Sequence, residues 1–251
     1  MKKRTLLVLF IIAAFTINAQ DYTQSLQGIS KIKLVSNNDI TIKSHDKNEI
    51  IIKGDDHKRP EKAKGLTAVY ASGTDNTGLG IYVEKNGDVL EVTNLKSMHG
   101  PKMVVYVSKS VAIYADSNQL GDLSVDGFTS EIEVKTSTGD IKITNVTGPV
   151  IAKAATGDIT VDFSDVSQSS PISLYSSTGD VDIKLPKSTP ANLDLRSTMG
   201  EIYTDFDLKF PNEKKDMKII SGKRHLTSEI NSGGVSITLR SSTGDIYLRK
   251  K

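Results

Sequence analysis

Apolar and polar residues alternate along most of this chain, and the alternation returns at a fixed spacing. Triplets in which two apolar residues flank a third begin just after residues 122, 131, 140, 149 and 158, nine residues apart. Side chains two positions apart on a strand point to one face, so each triplet predicts a short strand with one buried face. The triplets are Leu123/Val125, Ile132/Val134, Ile141/Ile143, Val150/Ala152 and Ile159/Val161.

Further triplets show that the pattern covers most of the chain. Pairs nine residues apart follow Pro171 and Asp180, Asn192 and Glu201, and Ser236 and Asp245. Near-repeats toward the N-terminus are Ile32/Leu34, Ile40/Ile42 and Ile50/Ile52. Two half-repeats of nine residues predict one coil of about 18 residues, paired in parallel with the next coil about 4.8 Å away. The expected fold class is therefore all-β, a parallel β-solenoid or β-helix.

Four of the triplets follow the tripeptide Thr-Gly-Asp, which predicts the corner between two strands. Glycine supplies the positive φ that a tight turn needs. Aspartate accepts hydrogen bonds from the backbone N–H groups of its own turn. We therefore assign a structural turn role to eight residues: Gly139, Asp140, Gly157, Asp158, Gly179, Asp180, Gly244 and Asp245.

The acidic corner residues also raise the possibility of a metal site. They would stack along one edge of the column, and Ca²⁺ prefers such oxygen ligands; the candidates are Asp140, Asp158 and Asp180. Calcium-binding nonapeptide rolls carry Gly-Gly-x-Gly-x-Asp at every turn, whereas here half of that ligand set is missing. We therefore expect turn capping and no cofactor, and a calcium-dependent adhesive module remains the first alternative.

No catalytic motif accompanies the repeat, and the chain is interpreted as a protein that is not an enzyme. Its four histidines show no metal-binding spacing. Asp182 and Asp194 are predicted to point outward from different half-coils, which would keep them apart. A carbohydrate-active enzyme on a β-helix scaffold is the second alternative. The outward rings of Tyr203 and Tyr247 could stack on sugars.

The N-terminus predicts a secretory signal peptide over residues 1–19. Lys2, Lys3 and Arg4 precede an apolar stretch that is too short for a comfortable membrane span. No cysteine is present to carry a lipid anchor or a disulfide. The expected localisation is export to the periplasm, the outer cell surface or the medium, with no transmembrane anchor in the mature chain.

The balance of charge excludes one class of partner. The 32 basic residues face 30 acidic ones, and removal of the leader leaves 29 against 30, so no nucleic-acid partner is expected.

After the leader, residues 20–103 are predicted to hold strands that cap or start the solenoid, a choice that the sequence leaves open. Residues 104–251 are predicted to form the solenoid, with a long excursion at 208–230.

The repeated Gly-Asp corners carry a resemblance to a known family. The successions Gly121-Asp122, Gly139-Asp140, Gly157-Asp158 and Gly179-Asp180, and the C-terminal Ser242-Thr243-Gly244-Asp245-Ile246, resemble the "putative bacterial adhesin" family of secreted β-strand-repeat proteins. Much of that family is a domain of unknown function. The leader ending Asn18-Ala19-Gln20 is similar to those of Bacteroidetes-type bacteria.

This resemblance implies a right-handed parallel β-solenoid at the cell envelope and implies no catalytic residues. The function expected from it is a non-enzymatic structural or adhesive role. Envelope proteins or surface carbohydrate are the expected partners.

Overall fold

The structure is a computed structural model that describes residues 21–54, 61–63, 65–66, 68–97, 100–208 and 224–251. The predicted signal peptide at 1–19 lies outside these residues, as does most of the predicted excursion at 208–230. The described residues contain twenty β-strands and one short 3-10 helix, Glu61–Ala63.

The strands are short, and most show a buried residue at every second position, as the triplets predict. They are β1 (Tyr22–Ser25), β2 (Lys31–Ser36), β3 (Ile40–His45), β4 (Glu49–Ile52), β5 (Ile81–Asn86), β6 (Val89–Asn94), β7 (Met103–Ser108), β8 (Ala112–Ser117), β9 (Leu123–Asp126), β10 (Ile132–Thr138), β11 (Ile141–Val146), β12 (Val150–Thr156), β13 (Ile159–Phe163), β14 (Ile172–Thr178), β15 (Val181–Leu185), β16 (Ala191–Ser197), β17 (Ile202–Thr204), β18 (Arg224–Ile230), β19 (Val235–Ser241) and β20 (Ile246–Lys250).

These strands form two ten-stranded sheets. Sheet A has the order β1-β4-β7-β3-β9-β11-β13-β15-β20-β17, and sheet B has the order β18-β16-β19-β14-β12-β10-β8-β2-β6-β5. From β8 to β17 consecutive strands alternate between the sheets, because each nine-residue unit ends in a corner that turns the chain to the other side. The all-β prediction is confirmed.

The register of the parallel strands follows the sequence repeat. Ile141 lies opposite Leu123 on one side and Ile159 on the other, 18 residues away in each direction. Between β12 and β14 the offset grows to 22 residues, since Ile151 lies opposite Ser173. The extra residues are the serine-rich insertion that precedes β14.

One continuous core fills the space between the sheets. Inward side chains of both sheets belong to a single apolar cluster. The members that come from the predicted triplets of β11, β13 and β15 are all at most 1% exposed: Ile141, Ile143, Ile159, Val161, Val181 and Ile183. Branched aliphatic side chains suit this pleated surface, and they account for a core that needs few aromatic residues.

The strands do not stack in chain order, which the periodicity did not indicate. The C-terminal pair β19 and β20 inserts between the pair β14 and β15 and the pair β16 and β17. Near the other end, β2 and β3 insert between β6 and β7 on one side and β8 and β9 on the other. Early and late segments of the chain are therefore both held on two sides.

Antiparallel strands cover the ends of the sheets. β1 pairs with β4, β4 pairs with β7, and β5 pairs with β6. The triplet Ile50/Ile52 lies on β4, which pairs antiparallel on both sides; the sequence left this direction open, because alternation alone does not encode strand direction. At the opposite end β18, the described part of the excursion, covers the edge of β16. Residues 20–103 thus contribute both parallel and antiparallel strands.

Candidate functional site

The Gly-Asp corners stack into a ladder along one edge of the molecule. Each acidic corner residue lies just before a strand of sheet A, and each of them except Asp39 donates its backbone N–H to a carboxylate Oδ1 in the neighbouring corner. The rungs, from donor to acceptor, are Asp122 to Asp39 (3.0 Å), Asp140 to Asp122 (2.9 Å), Asp158 to Asp140 (2.8 Å), Asp180 to Asp158 (2.7 Å), Asp245 to Asp180 (2.8 Å) and Glu201 to Asp245 (2.7 Å).

The ladder differs from the sequence expectation in three respects. Each carboxylate accepts an N–H from the neighbouring corner, whereas the sequence predicts acceptance from its own turn. Asp245 lies between Asp180 and Glu201, because β20 inserts there. Asp39 forms a further rung that the Gly-Asp motif does not include, since Asn38 stands where the other corners have glycine. Its position directly before the Ile40/Ile42 triplet was the signal available.

The corner glycines are needed because neighbouring corners approach closely. A Cβ on Gly157 would lie less than 3.0 Å from the carbonyl oxygen of Gly139, and its φ of 136° is in the region that glycine favours. Buried hydroxyls reinforce the same contact. They donate to the glycine carbonyls as follows: Thr136 to Gly121 (3.2 Å), Ser176 to Gly157 (2.8 Å), Ser241 to Gly179 (2.9 Å) and Ser197 to Gly244 (3.0 Å).

The hydrogen bonds of the ladder bear on whether its carboxylates could bind a metal ion. One oxygen of Asp140 and one of Asp158 already accept a backbone N–H. Among the described residues, no group of three acidic or histidine side chains comes together as a metal site would require. The calcium hypothesis for Asp140, Asp158 and Asp180 stays a prediction that a metal titration can decide.

A second polar cluster lies on the outer face of sheet A, at the β17 end. The rings of Tyr203 and Tyr247 stack with centroids 5.3 Å apart and planes 12° apart. Arg249 covers Tyr247, with its guanidinium carbon 4.9 Å from the ring centroid. Its Nε donates to both oxygens of Asp182 at 3.0 Å. This hydrogen bond raises the pKa of Arg249 and fixes the cation over the ring.

Burial raises the pKa of the Tyr247 phenol above its usual 10.0, and a hydrogen bond to Asp245 makes a second, smaller contribution in the same direction. The phenol donates to Asp245 Oδ2 over 3.2 Å. Tyr203 lies on the edge strand and is 49% exposed. The cluster therefore offers a flat aromatic surface at the end of the sheet, a shape suited to stacking rather than to proton transfer.

Comparison with known proteins places the whole repeat in one family. A family model described as Toastrack DUF4097 matches residues 19–249. The chain belongs to the Toastrack DUF4097 family. A comparison with curated proteins finds no match.

Two solved structures are similar to this Toastrack chain. A "putative cell adhesion protein" from Clostridium sporogenes is 12% identical, with a TM-score of 0.46, and the match covers 92% of this chain and 99% of that one. A "putative adhesin" from Bacteroides fragilis is also 12% identical, with a TM-score of 0.33, and the match covers 92% of this chain and 96% of that one.

The acidic residues considered for catalysis in this Toastrack chain lie apart. Asp182 is on sheet A and bonds with Arg249. Asp194 is on sheet B and accepts from His225 at 2.8 Å and from Arg240 at 3.5 Å. The structure therefore does not bring these two carboxylates together. Within the described ranges, no helix has both the length and the apolar character needed to cross a bilayer.

Proposed function

We propose that this chain is an exported, non-enzymatic protein of the cell envelope with a structural or adhesive role. The two sheets are taken as the walls of a β-solenoid, each coil contributing one strand to each wall. Envelope proteins or surface carbohydrate would bind to its outer faces. The near balance of basic and acidic residues disfavours a nucleic-acid partner.

The observation that carries this proposal is how the repeated polar residues are used. The aspartates that recur most often in the sequence bind the backbone of the neighbouring corner, and the corner glycines permit close contact. Their repetition is thus explained by stacking, with no need for a reaction. What remains available to a partner is the outer surface of two wide sheets.

The aromatic cluster supports carbohydrate as one partner. Tyr203 is half-exposed at the sheet edge, and Tyr247 is held behind it by Arg249 and Asp245. Because the rings are already ordered, a stacked sugar would cost little additional side-chain entropy. This surface could hold a sugar ring without changing it.

Binding of the purified protein to intact cells of the producing bacterium tests the proposal. We expect saturable binding that persists when divalent cations are chelated. Binding that never saturates, or the absence of binding together with retention in the cytoplasm, would contradict an envelope role. Cells stripped of surface polysaccharide then separate the two partner classes, because a protein partner survives that treatment.

A further inference from the structure

A row of basic residues crosses the outer face of sheet B. Six side chains occupy the same register on six adjacent strands, and we call them the basic row: Lys135, Lys153, Tyr175, Arg240, Arg196 and His225. Strand spacing of about 4.8 Å makes the distance from Lys135 to Arg196 roughly 19 Å. The row is therefore long and only one side chain wide.

Two acidic residues pair with members of the row and leave Lys153 and Arg196 without an ion pair among the described residues. At one end Lys135 pairs with Asp116 over 2.8 Å. At the other end Asp194 accepts from His225 and, over 3.5 Å, from Arg240. Among the described residues, Lys153 and Arg196 have no acidic partner. Unpaired positive charge thus remains at Lys153 and Arg196, on either side of Tyr175 and Arg240.

The positions beside Lys153, Tyr175 and Arg240 carry no charge, whereas Asp194 lies at the matching position beside Arg196. Ile151, Ser173 and Thr238 lie two residues before Lys153, Tyr175 and Arg240, on the same face of their strands. Nothing at these positions competes with an anion for the cations. The charge is consequently concentrated in a line rather than spread over a patch.

Tyr175 gives the row an aromatic centre. It lies opposite Lys153 on one side and Arg240 on the other, and it is 37% exposed. The Ser177 hydroxyl donates to its phenol oxygen at 2.9 Å, which fixes the ring direction. An exposed ring between two cations suits a ligand that has a ring and carries an acid on it.

We propose that the basic row binds an extended acidic polysaccharide whose sugar rings carry carboxylates. One sugar ring stacks on Tyr175, and the carboxylates of neighbouring units bind Lys153, Arg240 and Arg196. This inference rests on the proposed binding role and names the chemical class of the partner. No bond is made or broken in the ligand.

The shape of the row favours this ligand over two others. Duplex nucleic acid is recognised through a broad basic surface, whereas the row is one residue wide on a protein of nearly balanced charge. A lipid surface is bound through apolar side chains that enter the interface, with basic residues beside them. On the middle strands of this face the large exposed apolar side chain is Tyr175.

Titration of the purified protein with hexagalacturonate at low and high salt tests this site. Exposed ion pairs contribute little individually, so K153S/R196S should weaken binding roughly tenfold and flatten its salt dependence. Y175S should weaken binding while leaving the salt dependence intact. The matched control is K43S/K142S, which removes two exposed lysines from the outer face of sheet A and should leave binding unchanged.

Several outcomes would overturn the basic row as a polysaccharide site. They are no binding of hexagalacturonate, equal weakening by K43S/K142S, or tighter binding of an oligothymidylate or of phosphatidylglycerol vesicles. If K153S/R196S binds intact cells as the wild type does, the row is wrong and the envelope role stands. If the wild type does not bind cells, the envelope role itself fails.

Discussion

The carbonyl oxygen of Gly139 lies so close to Gly157 that a Cβ on Gly157 would come within 3.0 Å of it. The same contact recurs between successive corners, because the backbone of each corner rests directly on the next. The glycines of the Gly-Asp repeat are therefore required for neighbouring corners to pack together along one edge of the sheets.

Replacement of Gly157 by alanine should destabilise the protein strongly. The added methyl group meets backbone atoms that cannot turn away, and the φ of 136° is unfavourable for alanine. We expect a loss of more than about 3 kcal/mol in the free energy of unfolding, measured by denaturant titration. Gly87 is the matched control, since its φ is 64° but no atom lies within 4 Å of its Cβ position. G87A should cost about 1 kcal/mol. Equal losses for the two variants would show that the close contact is unimportant.

Substitutions at Asp158 distinguish turn capping from calcium binding as the role of the corner aspartates. D158A removes the acceptor of the Asp180 N–H, a hydrogen bond of 2.7 Å at an exposed corner, and should cost about 0.5–1.5 kcal/mol. D158N keeps a side-chain oxygen and should cost less. Melting curves with millimolar calcium and with a chelator should agree for all three proteins. A large rise in the wild-type melting temperature with calcium, abolished in D158A, would instead establish the calcium-dependent module.

Asp75 should make stability depend on pH in the acid range. Burial opposes its ionisation, but N–H groups of Gly80, Thr77 and Gly78 donate to the carboxylate and lower its pKa below 3.8. A folded pKa below the unfolded one means that the stabilisation is complete above pH 3.8 and is lost as the pH falls through the folded pKa.

Comparison of D75N with the wild type measures this contribution. D75N should be less stable at neutral pH by about 1–3 kcal/mol, and the difference should shrink as the pH falls below 3.8. A difference that stays constant down to strong acid would show that the carboxylate charge has no part in holding this loop.

The inserted C-terminal strands β19 and β20 should be essential to the end of the stack that contains β14 to β18. β19 and β20 bury Ile237, Leu239, Ile246 and Leu248 between neighbouring strand pairs. Each such side chain contributes about 1.5–3 kcal/mol. Deletion of residues 235–251 should abolish cooperative unfolding and expose strand edges that aggregate.

A peptide with the sequence of residues 235–251 provides the control for that deletion. Added in excess, it should restore a cooperative transition, whereas a peptide carrying aspartate at positions 237 and 239 should not. A truncated protein that melts as the full chain does would show that the insertion is not needed for the fold.

The spacing of apolar residues was enough to predict individual strands and their local register. Ile141 and Ile159 pair as the 18-residue coil predicts, because the two corners and the strand β12 between them have the lengths that the repeat gives. The order of the strands in each sheet cannot be predicted from this spacing. All coils present the same inward pattern of isoleucine, valine and leucine, so periodicity cannot tell which coil lies beside which.

The candidate surfaces illustrate the same limit on sequence reasoning. The stacking of Tyr203 on Tyr247 requires β17 beside β20, and the row from Tyr175 to Arg196 requires β19 between β14 and β16. These neighbours are far apart in the chain, with no local signal to join them. By contrast the corner aspartates other than Asp39 are evident from the sequence, because the dipeptide Gly-Asp recurs at one corner of successive coils.

A protein that binds polysaccharide without cleaving it leaves the chain length of the bound polymer unchanged, and this can be measured. Envelope polysaccharide from the producing cells is incubated with the purified protein, and both the bound fraction and the reducing ends are measured over time. We expect stable binding with a constant number of reducing ends. A rise in reducing ends that scales with protein concentration and disappears in D182N or D194N would contradict this expectation and identify an enzyme.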